Sequence, residues 1–232
     1  MEEVLKAVNL TKKYGKVLAL RDLNLSIKRG FITGLLGPNG SGKSTFMRLA
    51  AGQSRPTRGE IYVKNVRPGV KTKGLVSYSP EEKHLYPWMK VEEGVELYRN
   101  FFPSFNEEKT WSMIEFMKLP RDRYISDLSR GMAARLKIAL SLSWGAELIL
   151  LDEPLSGIDP ASREKIIEGI LMDYRKGESA MVISTHMVGE IEPLLNQVIF
   201  LREGEVFLEG EPDQLREGYG HSLDQIFRRE LA

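Results

Sequence analysis

Apolar residues change their spacing along the chain and divide it into three parts. The first part has short apolar runs broken by Gly, Asp, Lys or Arg, a pattern typical of β-strands. The predicted strands here are Leu5–Leu10, Val17–Leu20, Asn24–Ile27, Glu60–Val63 and Leu75–Tyr78. From about residue 91 to 144 the apolar residues recur at helical spacing. One helix is predicted from the cap Asn106 through Met117, and another from Ser129 through Trp144.

The last part of the chain alternates strands with helices. Its predicted strands are Leu148–Leu151, Ala180–Ser184, Val198–Leu201 and Val206–Leu208. Asp159 followed by Pro160 is a typical helix start and predicts a helix to about Tyr174. Ser222 and Gln225 have the spacing of a capping box before a final helix. This alternation predicts an α/β fold with a mostly parallel sheet, into which the helical middle is inserted as a subdomain.

The length and composition narrow the class of protein. The 232 residues suffice for one large domain, or for a domain with a subdomain. Lys and Arg number 33 against 32 Asp and Glu, and this near-balance argues against a general polyanion binder. With 0 cysteines, neither disulfides nor cysteine-bound metals hold the fold. The chain has no signal-peptide pattern and no run of about 18 apolar residues, so we expect any membrane part to belong to another chain.

A glycine-rich segment lies between the strand-like Phe31–Leu36 and the helix-like Ser44–Ala51. It contains Gly-x-x-x-x-Gly-Lys-Ser, the pattern of a loop whose backbone N–H groups cradle phosphates. Lys43 is expected to reach the terminal phosphates, and the Ser44 hydroxyl to ligate Mg²⁺. The alternative is a glycine-rich turn before a helix. The segment predicts a site for a nucleoside triphosphate, made of Gly37, Pro38, Asn39, Gly40, Ser41, Gly42, Lys43, Ser44 and Thr45.

Two adjacent carboxylates follow the apolar strand Leu148–Leu151. Ligands of α/β sheets bind at the carboxyl ends of the strands, and two adjacent buried acids need a cation nearby. Asp152 is therefore expected to hold Mg²⁺, through water, beside Ser44. Glu153 is expected to orient and deprotonate a water in line with the γ-phosphate. Alternatively, both acids only cap the end of a strand.

Ser129 and Gly131 stand at the predicted start of a helix. A hydroxyl, free N–H groups and the positive end of the helix dipole suit an anion there. On its own this pattern is more often a simple helix cap. Its position about twenty residues before Asp152 favours a functional role.

Taken together and in this order, the motifs resemble those of the ATP-binding subunits of ABC (ATP-binding cassette) transporters. Gly37–Thr45 matches the Walker A motif, and Leu148–Glu153 matches Walker B with the catalytic glutamate after it. Leu128–Met132 resembles the family signature Leu-Ser-Gly-Gly-Gln. Ser156–Asp159 is similar to the D-loop, and His186 stands where the switch histidine belongs. The resemblance covers essentially the whole chain.

The resemblance implies an α/β fold: a P-loop NTPase core with a mostly parallel sheet, an N-terminal antiparallel β subdomain and an inserted helical subdomain. Residues 1–80 and 146–232 are expected to form the ATP-binding core with the β subdomain. Residues 81–145 are expected to form the helical subdomain that carries the signature. The whole chain, 1–232, is then a single ABC ATPase domain.

The resemblance also implies how ATP is held. Two copies pair head to tail, so that each ATP lies between Lys43 of one subunit and Ser129 and Gly131 of the other. Tyr14 matches the aromatic residue that stacks on adenine, although it could simply close a strand. His186 is expected to contact the γ-phosphate, whereas a lone histidine at the end of a buried strand is otherwise a satisfied core residue.

Aromatic residues are dense between the Walker motifs. They are predicted to form the core of the helical subdomain. The alternative, implied by the family, is a groove that receives a coupling helix of the membrane subunit. The other two histidines, His84 and His221, are expected to lie on the surface. The aromatic residues concerned are Tyr86, Trp88, Tyr98, Phe101, Phe102 and Phe105.

Two positions depart from the family pattern. Glu81 stands where the family commonly has a glutamine, which can donate a hydrogen bond to the attacking water as well as ligate Mg²⁺. Glu81 is still expected to approach the metal, with slower or more pH-dependent hydrolysis. Arg130 and Met132 alter the signature, but the phosphate-contacting Ser129 and Gly131 remain.

The sequence therefore predicts a Mg²⁺-dependent ATPase in which Glu153, His186 and Lys43 are catalytic. It is expected to drive a separate transmembrane permease, in the manner of an exporter, from the cytoplasmic face of the membrane. The expected second subunit is another copy or a related ATPase chain, and no nucleic acid is expected. One alternative is a soluble ABC ATPase that acts on ribosomes or nucleic acid, which the single cassette and near-neutral charge disfavour. Another is a regulatory module that binds ATP without hydrolysing it.

Overall fold

The computed structural model describes residues 2–82, 85–174 and 179–230, and strands dominate the N-terminal part of the chain. The strands are β1 Glu3–Tyr14, β2 Val17–Lys28, β3 Ile32–Leu36, β4 Arg58–Val63, β5 Val76–Ser79, β6 Leu148–Asp152, β7 Ala180–Thr185, β8 Gln197–Arg202 and β9 Glu205–Gly210. The helices are α1 Lys43–Ala50, α2 Val91–Phe101, α3 Glu107–Phe116, α4 Arg130–Leu142, α5 Pro160–Tyr174, α6 Val188–Ile191, α7 Pro212–Tyr219 and α8 Leu223–Glu230.

The strands form two sheets. The smaller sheet has the order β2-β1-β4, and its neighbouring strands are antiparallel. The larger sheet has the order β5-β6-β7-β3-β8-β9, in which only β9 is antiparallel to its neighbour. The predicted α/β fold with a mostly parallel sheet and an N-terminal antiparallel sheet is confirmed.

Alternation along the parallel strands places apolar side chains on both faces of the larger sheet. In β6, Leu150 belongs to a buried cluster with Phe46 of α1 and with Leu25 of the antiparallel sheet. Its neighbour Leu151 belongs to the cluster on the opposite face, with Leu136 of α4. The larger sheet is therefore covered on one face by α1 and the smaller sheet, and on the other by the remaining helices.

Polar caps set the starts of several helices. The Asn106 side chain accepts a hydrogen bond from the Lys109 N–H at 2.8 Å, and α3 begins at the next residue. The Asp159 carboxylate accepts one from the Ser162 N–H at 2.9 Å, and α5 begins at Pro160. These starts match the predicted ones because a side-chain acceptor satisfies an N–H that the helix leaves unpaired.

The two strands predicted around residues 17–27 are in fact one strand, β2. Asp22 was expected to interrupt them, but it takes a left-handed backbone with φ +40° within the strand. The Asn24 amide donates to the Asp22 carbonyl at 2.8 Å, and the Asn24 side-chain oxygen accepts from the Asn9 N–H at 2.9 Å. These contacts absorb a shift of register against β1, so the strand continues through its polar residues.

The middle of the chain is helical. α2, α3 and α4 contribute Val95, Met113 and Leu136 to the buried cluster on the outer face of the larger sheet. Among the residues that the structure describes, no helix is long and apolar enough to cross a membrane.

Four neighbouring strands of the larger sheet, β5, β6, β7 and β3, run parallel and end at the same edge. The segments that follow them carry the predicted phosphate loop, Glu81, the Asp152–Glu153 pair and His186. Because ligands of parallel sheets bind at the carboxyl ends of the strands, this edge is the candidate functional site.

Candidate functional site

Glycine allows the loop between β3 and α1 to fold tightly against its surroundings. A Cβ on Gly37 would lie 2.4 Å from the Leu201 carbonyl oxygen, and one on Gly42 would lie 2.7 Å from that of Ala19. Gly40 and Gly42 have φ of +84° and +108°, which side-chain-bearing residues rarely adopt. The loop can therefore curl its backbone N–H groups inward, as a phosphate cradle requires.

A turn between β8 and β9 ties this loop to the antiparallel sheet. The Gly204 N–H donates to the Ser41 carbonyl at 3.1 Å, and the Gly204 carbonyl accepts from the Arg21 N–H at 2.9 Å. A Cβ on Gly204 would lie 2.8 Å from the Ala19 carbonyl oxygen. The phosphate loop and β2 are thus held together through one glycine.

Lys43 is buried at the start of α1. Its ammonium donates to the carbonyl oxygens of Gly37 at 2.7 Å and Pro38 at 3.2 Å. The same nitrogen lies 3.5 Å from Glu153 Oε1, a buried atom with no hydrogen-bond partner among the described residues. Lys43 is therefore one cation beside the paired acids, in addition to the Mg²⁺ expected at Asp152. The buried Ser41 hydroxyl in the same loop also lacks a hydrogen-bond partner within the described part of the chain.

Asp152 is the last residue of β6, and its carboxylate accepts hydrogen bonds from three side-chain hydroxyls. Ser44 Oγ lies 3.2 Å from Asp152 Oδ1, Tyr78 Oη lies 3.2 Å from Oδ2, and Ser184 Oγ donates to Oδ1 at short range. Burial raises the pKa of the Tyr78 phenol, and the Asp152 charge raises it further. A carboxylate and a hydroxyl side by side are hard oxygen donors, so Ser44 and Asp152 fit Mg²⁺.

Glu153 follows Asp152 with a left-handed backbone, φ +48°. Its N–H donates to the Ser184 carbonyl at 3.0 Å and to the Ser184 hydroxyl at 3.1 Å. Because of this turn the two carboxylates diverge, and Glu153 Oε2 lies 3.0 Å from His186 Nδ1. The His186 side chain is 43% exposed, so its imidazole is accessible to a ligand. The pair joins a buried carboxylate to an accessible imidazole.

The structure does not bring all of the predicted site residues together within one chain. Tyr14 ends β1 on the antiparallel sheet, 44% exposed, with the Lys12 ammonium 4.8 Å from its ring centroid. Ser129 caps α4 and accepts from the Met132 N–H at 3.2 Å. Among the described residues, no hydrogen bond or ion pair joins Ser129 or Gly131 to the phosphate loop. Asn39 and Ser129 are exposed. Residues that bind a large ligand need to be accessible in this way.

The packing of α4 against α5 also requires a glycine at position 131. A Cβ at this position would lie 2.2 Å from Ser162 Oγ and 2.6 Å from Asp159 Oδ2, at the start of α5. The prediction gave Gly131 only a phosphate contact. Its missing side chain also lets α4 pack closely against α5.

Glu81 lies on the loop after β5 and is exposed. Within the described residues, no hydrogen bond or ion pair joins its carboxylate to Ser44 or Asp152. It lines a cavity of about 330 Å³ that Glu153 also lines. Of the remaining histidines, His221 contacts Arg229 beside the last helix, and His84 lies outside the described residues.

Sequence reasoning missed Tyr78 and Ser184, which both bind Asp152. Both were predicted only as strand residues. A polar side chain within an otherwise apolar buried strand was the signal that could have found Ser184, because such a group needs a partner. Tyr78 required knowledge that β5 and β6 are neighbours.

Comparisons with known proteins agree with this geometry. A family model described as "ABC transporter" matches residues 20–156. The chain is 34% identical to the Nod factor export ATP-binding protein I of Bradyrhizobium sp. (strain SNU001), over 97% of this chain and 78% of that protein. It is 29% identical to a lantibiotic transport ATP-binding protein of Streptococcus pyogenes, over 98% of this chain and 97% of the relative.

Solved structures resemble the whole chain. The ATP-binding subunit of an ABC transporter superposes with a TM-score of 0.87 at 26% identity, covering 97% of this chain and 98% of the other. A dimeric bacterial ABC transporter cassette has a TM-score of 0.78 at 26% identity, covering 89% and 98%. The phosphate loop, the Asp152–Glu153 pair and these similarities support the same conclusion. The chain belongs to the ABC transporter family and is an ATP-binding ATPase subunit of that family.

Proposed function

We propose that this ATPase works as a head-to-tail pair that drives a separate transmembrane permease, as an exporter. The observation that carries the proposal is the division of the site. Lys43, Ser44, Asp152, Glu153 and His186 lie at one sheet edge, whereas Ser129 is exposed on a different element. A site that is split within one chain is completed when a second subunit presents its Ser129 to the first.

Lys43 and the phosphate loop bind the triphosphate. The loop N–H groups hold phosphate oxygens, and the Lys43 ammonium stabilises charge on the terminal phosphates. These oxygens compete with Glu153 for Lys43, so we expect ATP to replace the 3.5 Å ion pair. Tyr14 stacks on adenine through its exposed ring, a contact worth about 1–3 kcal/mol.

Ser44 and Asp152 hold Mg²⁺, which neutralises phosphate charge when bound. Asp152 is already oriented by the Tyr78 and Ser184 hydroxyls, so little rearrangement is needed to present its carboxylate. Glu81 approaches this group when the loop after β5 moves inward. Its exposed position beside the shared cavity is consistent with such a movement.

Glu153 orients the attacking water and accepts its proton. Once Lys43 turns to the phosphates, Glu153 Oε1 is a buried acceptor that can take a water as its partner, and Glu153 lines the cavity of about 330 Å³. His186 is held by Glu153 Oε2 through Nδ1, and its other nitrogen contacts the γ-phosphate. The partner subunit's Ser129 and Gly131 contact the same phosphate, so hydrolysis releases the pair.

The permease docks on an aromatic patch that we define as Tyr86, Trp88 and Tyr124. Trp88 is 67% exposed, and its ring centroid lies 4.9 Å from that of Tyr86. Tyr124 is also exposed, and its backbone pairs with that of Lys90, two residues after Trp88. Exposed aromatic side chains of this kind are typical of protein interfaces. The cassette then lies at the cytoplasmic face, and export as the direction is supported by relatives named for Nod factor export and lantibiotic transport.

The test of the chemistry is Glu153→Gln. Removing the base should lower kcat for ATP hydrolysis at least about 100-fold, with ATP affinity nearly unchanged. In sedimentation experiments the variant should form an ATP-dependent dimer, or bind its related ATPase chain. Glu164→Gln, which alters an exposed glutamate of α5, is the matched control. Wild-type turnover by Glu153→Gln would remove Glu153 from the mechanism.

The test of the partner is capture of the tagged chain from detergent-solubilised cells. We expect a stoichiometric protein with several membrane spans. Recovery of ribosomal proteins, without a membrane protein, would instead support the ribosome-acting ATPase and leave the ATPase chemistry intact.

A further inference from the structure

The Lys137 side chain on α4 binds the loop that follows β5. Its ammonium donates to the carbonyl oxygen of Pro80 at short range and lies 3.3 Å from those of Glu81 and Glu82. An ammonium has three N–H donors, so all of its donors have carbonyl acceptors here. Among the described residues, no hydrogen bond or ion pair joins Lys137 to the phosphate loop, Asp152 or Glu153.

The electrostatic surroundings of Lys137 are unusual for a lysine. Burial lowers the pKa of its ammonium, while the charges of Asp152 and Glu81 act in the opposite direction. Among the described residues it forms no salt bridge with a carboxylate. The ammonium therefore binds backbone carbonyl groups and not a flexible carboxylate side chain. Its contacts fix the path of the loop backbone.

Little else holds residues 80–82. Within the described part of the chain, their other polar contact is the pair between Glu82 and Arg48, at 3.8 Å. The Glu82 side chain is 84% exposed, so this pair contributes little. The cavity of about 330 Å³ beside Glu81 and Lys137 leaves that side of the loop without close packing. Lys137 is the main connection between the loop and α4.

The two segments that Lys137 joins lead to different surfaces. The chain continues from residues 80–82 to Tyr86 and Trp88 of the aromatic patch. α4 begins directly after Ser129. A rigid connection between the loop and the helix would therefore relate the position of residues 80–82 to that of Ser129.

We propose that Lys137 is a positioning residue that makes loop 80–82 and α4 move as one unit. Through it, the position of the loop, and of Glu81 on that loop, is linked to the position of Ser129. The roles of Glu81 and of Ser129 rest on the proposed function. The connection itself does not, because it consists of contacts within this chain.

Limited proteolysis of the full chain tests the connection directly, because a glutamate-specific protease cuts after Glu81 and Glu82 only when the loop can leave its place. Lys137→Met keeps the aliphatic stem but removes the donors, and should raise the cleavage rate after these two residues about tenfold, with cleavage after Glu164 on α5 unchanged. Lys137→Arg should restore most of the protection because a guanidinium also donates to carbonyls. Lys73→Met, at an exposed lysine, is the matched control. Unchanged cleavage after Glu81 and Glu82, or an equal rise throughout the chain, would overturn the proposal.

Kinetics give a second readout that a purely structural role would not produce. Lys137→Met should lower kcat about fivefold with the KM for ATP within about twofold, since the loop acts on the reacting geometry and not on ATP binding. Lys137→Arg should recover at least half of kcat. A parallel loss in both parameters, without rescue by arginine, would contradict the positioning role. If the Glu153→Gln test fails instead, the proposed function is wrong while the proteolysis result still decides the connection.

Discussion

At the scale of single residues, Ser184 organises the reacting edge. Its hydroxyl donates to Asp152, and its hydroxyl and carbonyl oxygens both accept the Glu153 N–H. Glu153 has a left-handed backbone, which costs free energy for a residue with a side chain. The two hydrogen bonds offset that cost, and they direct one carboxylate toward Ser44 and the other toward Lys43.

Ser184→Ala tests this role. The change removes one donor to Asp152 and one acceptor of the Glu153 amide, so we expect a loss of about 1–2 kcal/mol in the free energy of unfolding. The Mg²⁺ concentration needed for half-maximal ATPase activity should also rise. Urea unfolding and a Mg²⁺ titration of the rate measure the two effects.

Ser143→Ala is the control, because the Ser143 hydroxyl is buried without a hydrogen-bond partner among the described residues. Its removal should leave the free energy of unfolding unchanged or raise it, with the Mg²⁺ dependence unaltered. Equal behaviour of the two variants would mean that Ser184 does not organise the site.

Glu81→Gln is expected to raise the rate of hydrolysis. An ionised carboxylate only accepts hydrogen bonds, whereas the amide also donates one to the attacking water. Steady-state kcat across pH measures the effect, and Glu82→Gln on the same loop is the control. An unchanged rate and pH profile in Glu81→Gln would exclude a role for residue 81 near the water.

At the scale of elements, a partly buried ion pair joins three helices. Lys109 of α3 pairs with Asp173 near the end of α5, and the same ammonium donates to the Leu142 carbonyl at the end of α4. The Asp173 side chain is 8% exposed and that of Lys109 is 23% exposed. Such a pair fixes where the helix ends lie even if its net contribution to stability is small.

Asp173→Ala should be clearly destabilising. It leaves the Lys109 ammonium without its counter-charge in a mostly buried site, and we expect the free energy of unfolding to fall by about 2–3 kcal/mol. Glu168→Ala, which breaks the more exposed pair with Lys165, should cost less than about 0.5 kcal/mol. Chemical denaturation measures the free energy of unfolding of both variants. Similar decreases would show that the Lys109–Asp173 pair contributes no more than an exposed ion pair.

Much of the element pattern follows from local sequence signals. Ser129, Asp159 and the Ser222–Gln225 box mark the helix starts that the structure has, because capping depends on neighbours in the chain. β2 was predicted as two strands because the left-handed Asp22 becomes tolerable only through its pairing with β1. That pairing is tertiary information.

For the candidate site, the sequence predicted the motif residues but not the contacts that support them. The residues of the phosphate loop and the Asp152–Glu153 pair were found by their motifs, although their roles stay predictions. The contacts of Tyr78 and Lys137 were not found, because they depend on which strands and helices are neighbours in space. Sequence spacing identifies chemistry that is close along the chain and does not identify what supports it.

At the scale of the whole molecule, the aromatic patch and the nucleotide site lie on different parts of the chain. The phosphate loop follows β3 in the sheet, whereas the patch lies on the segment between β5 and α4. Under the proposed function, a substitution in the patch should therefore weaken permease binding without direct damage to the ATP-binding residues.

Trp88→Ala tests this separation. We expect the ATPase activity of the chain alone to stay within about twofold, while permease recovery in affinity capture falls about tenfold, since a central aromatic side chain often dominates an interface. Tyr219→Ala, at an exposed aromatic residue on α7, is the control. Full recovery of the permease with Trp88→Ala would place the docking surface elsewhere.

The Gly204 turn has a thermodynamic consequence for the assembly of the two sheets. Tyr14 belongs to one sheet and the phosphate loop to the other, and Gly204 links them through the Ser41 carbonyl and the Arg21 N–H. A nucleotide that stacks on Tyr14 and fills the loop is a second, reversible cross-link between the same two bodies. By mass action, ATP at 100 times its Kd would add about 2.7 kcal/mol to the free energy of unfolding. The ATP concentration in the cell would then affect the stability of the fold as well as the rate of hydrolysis.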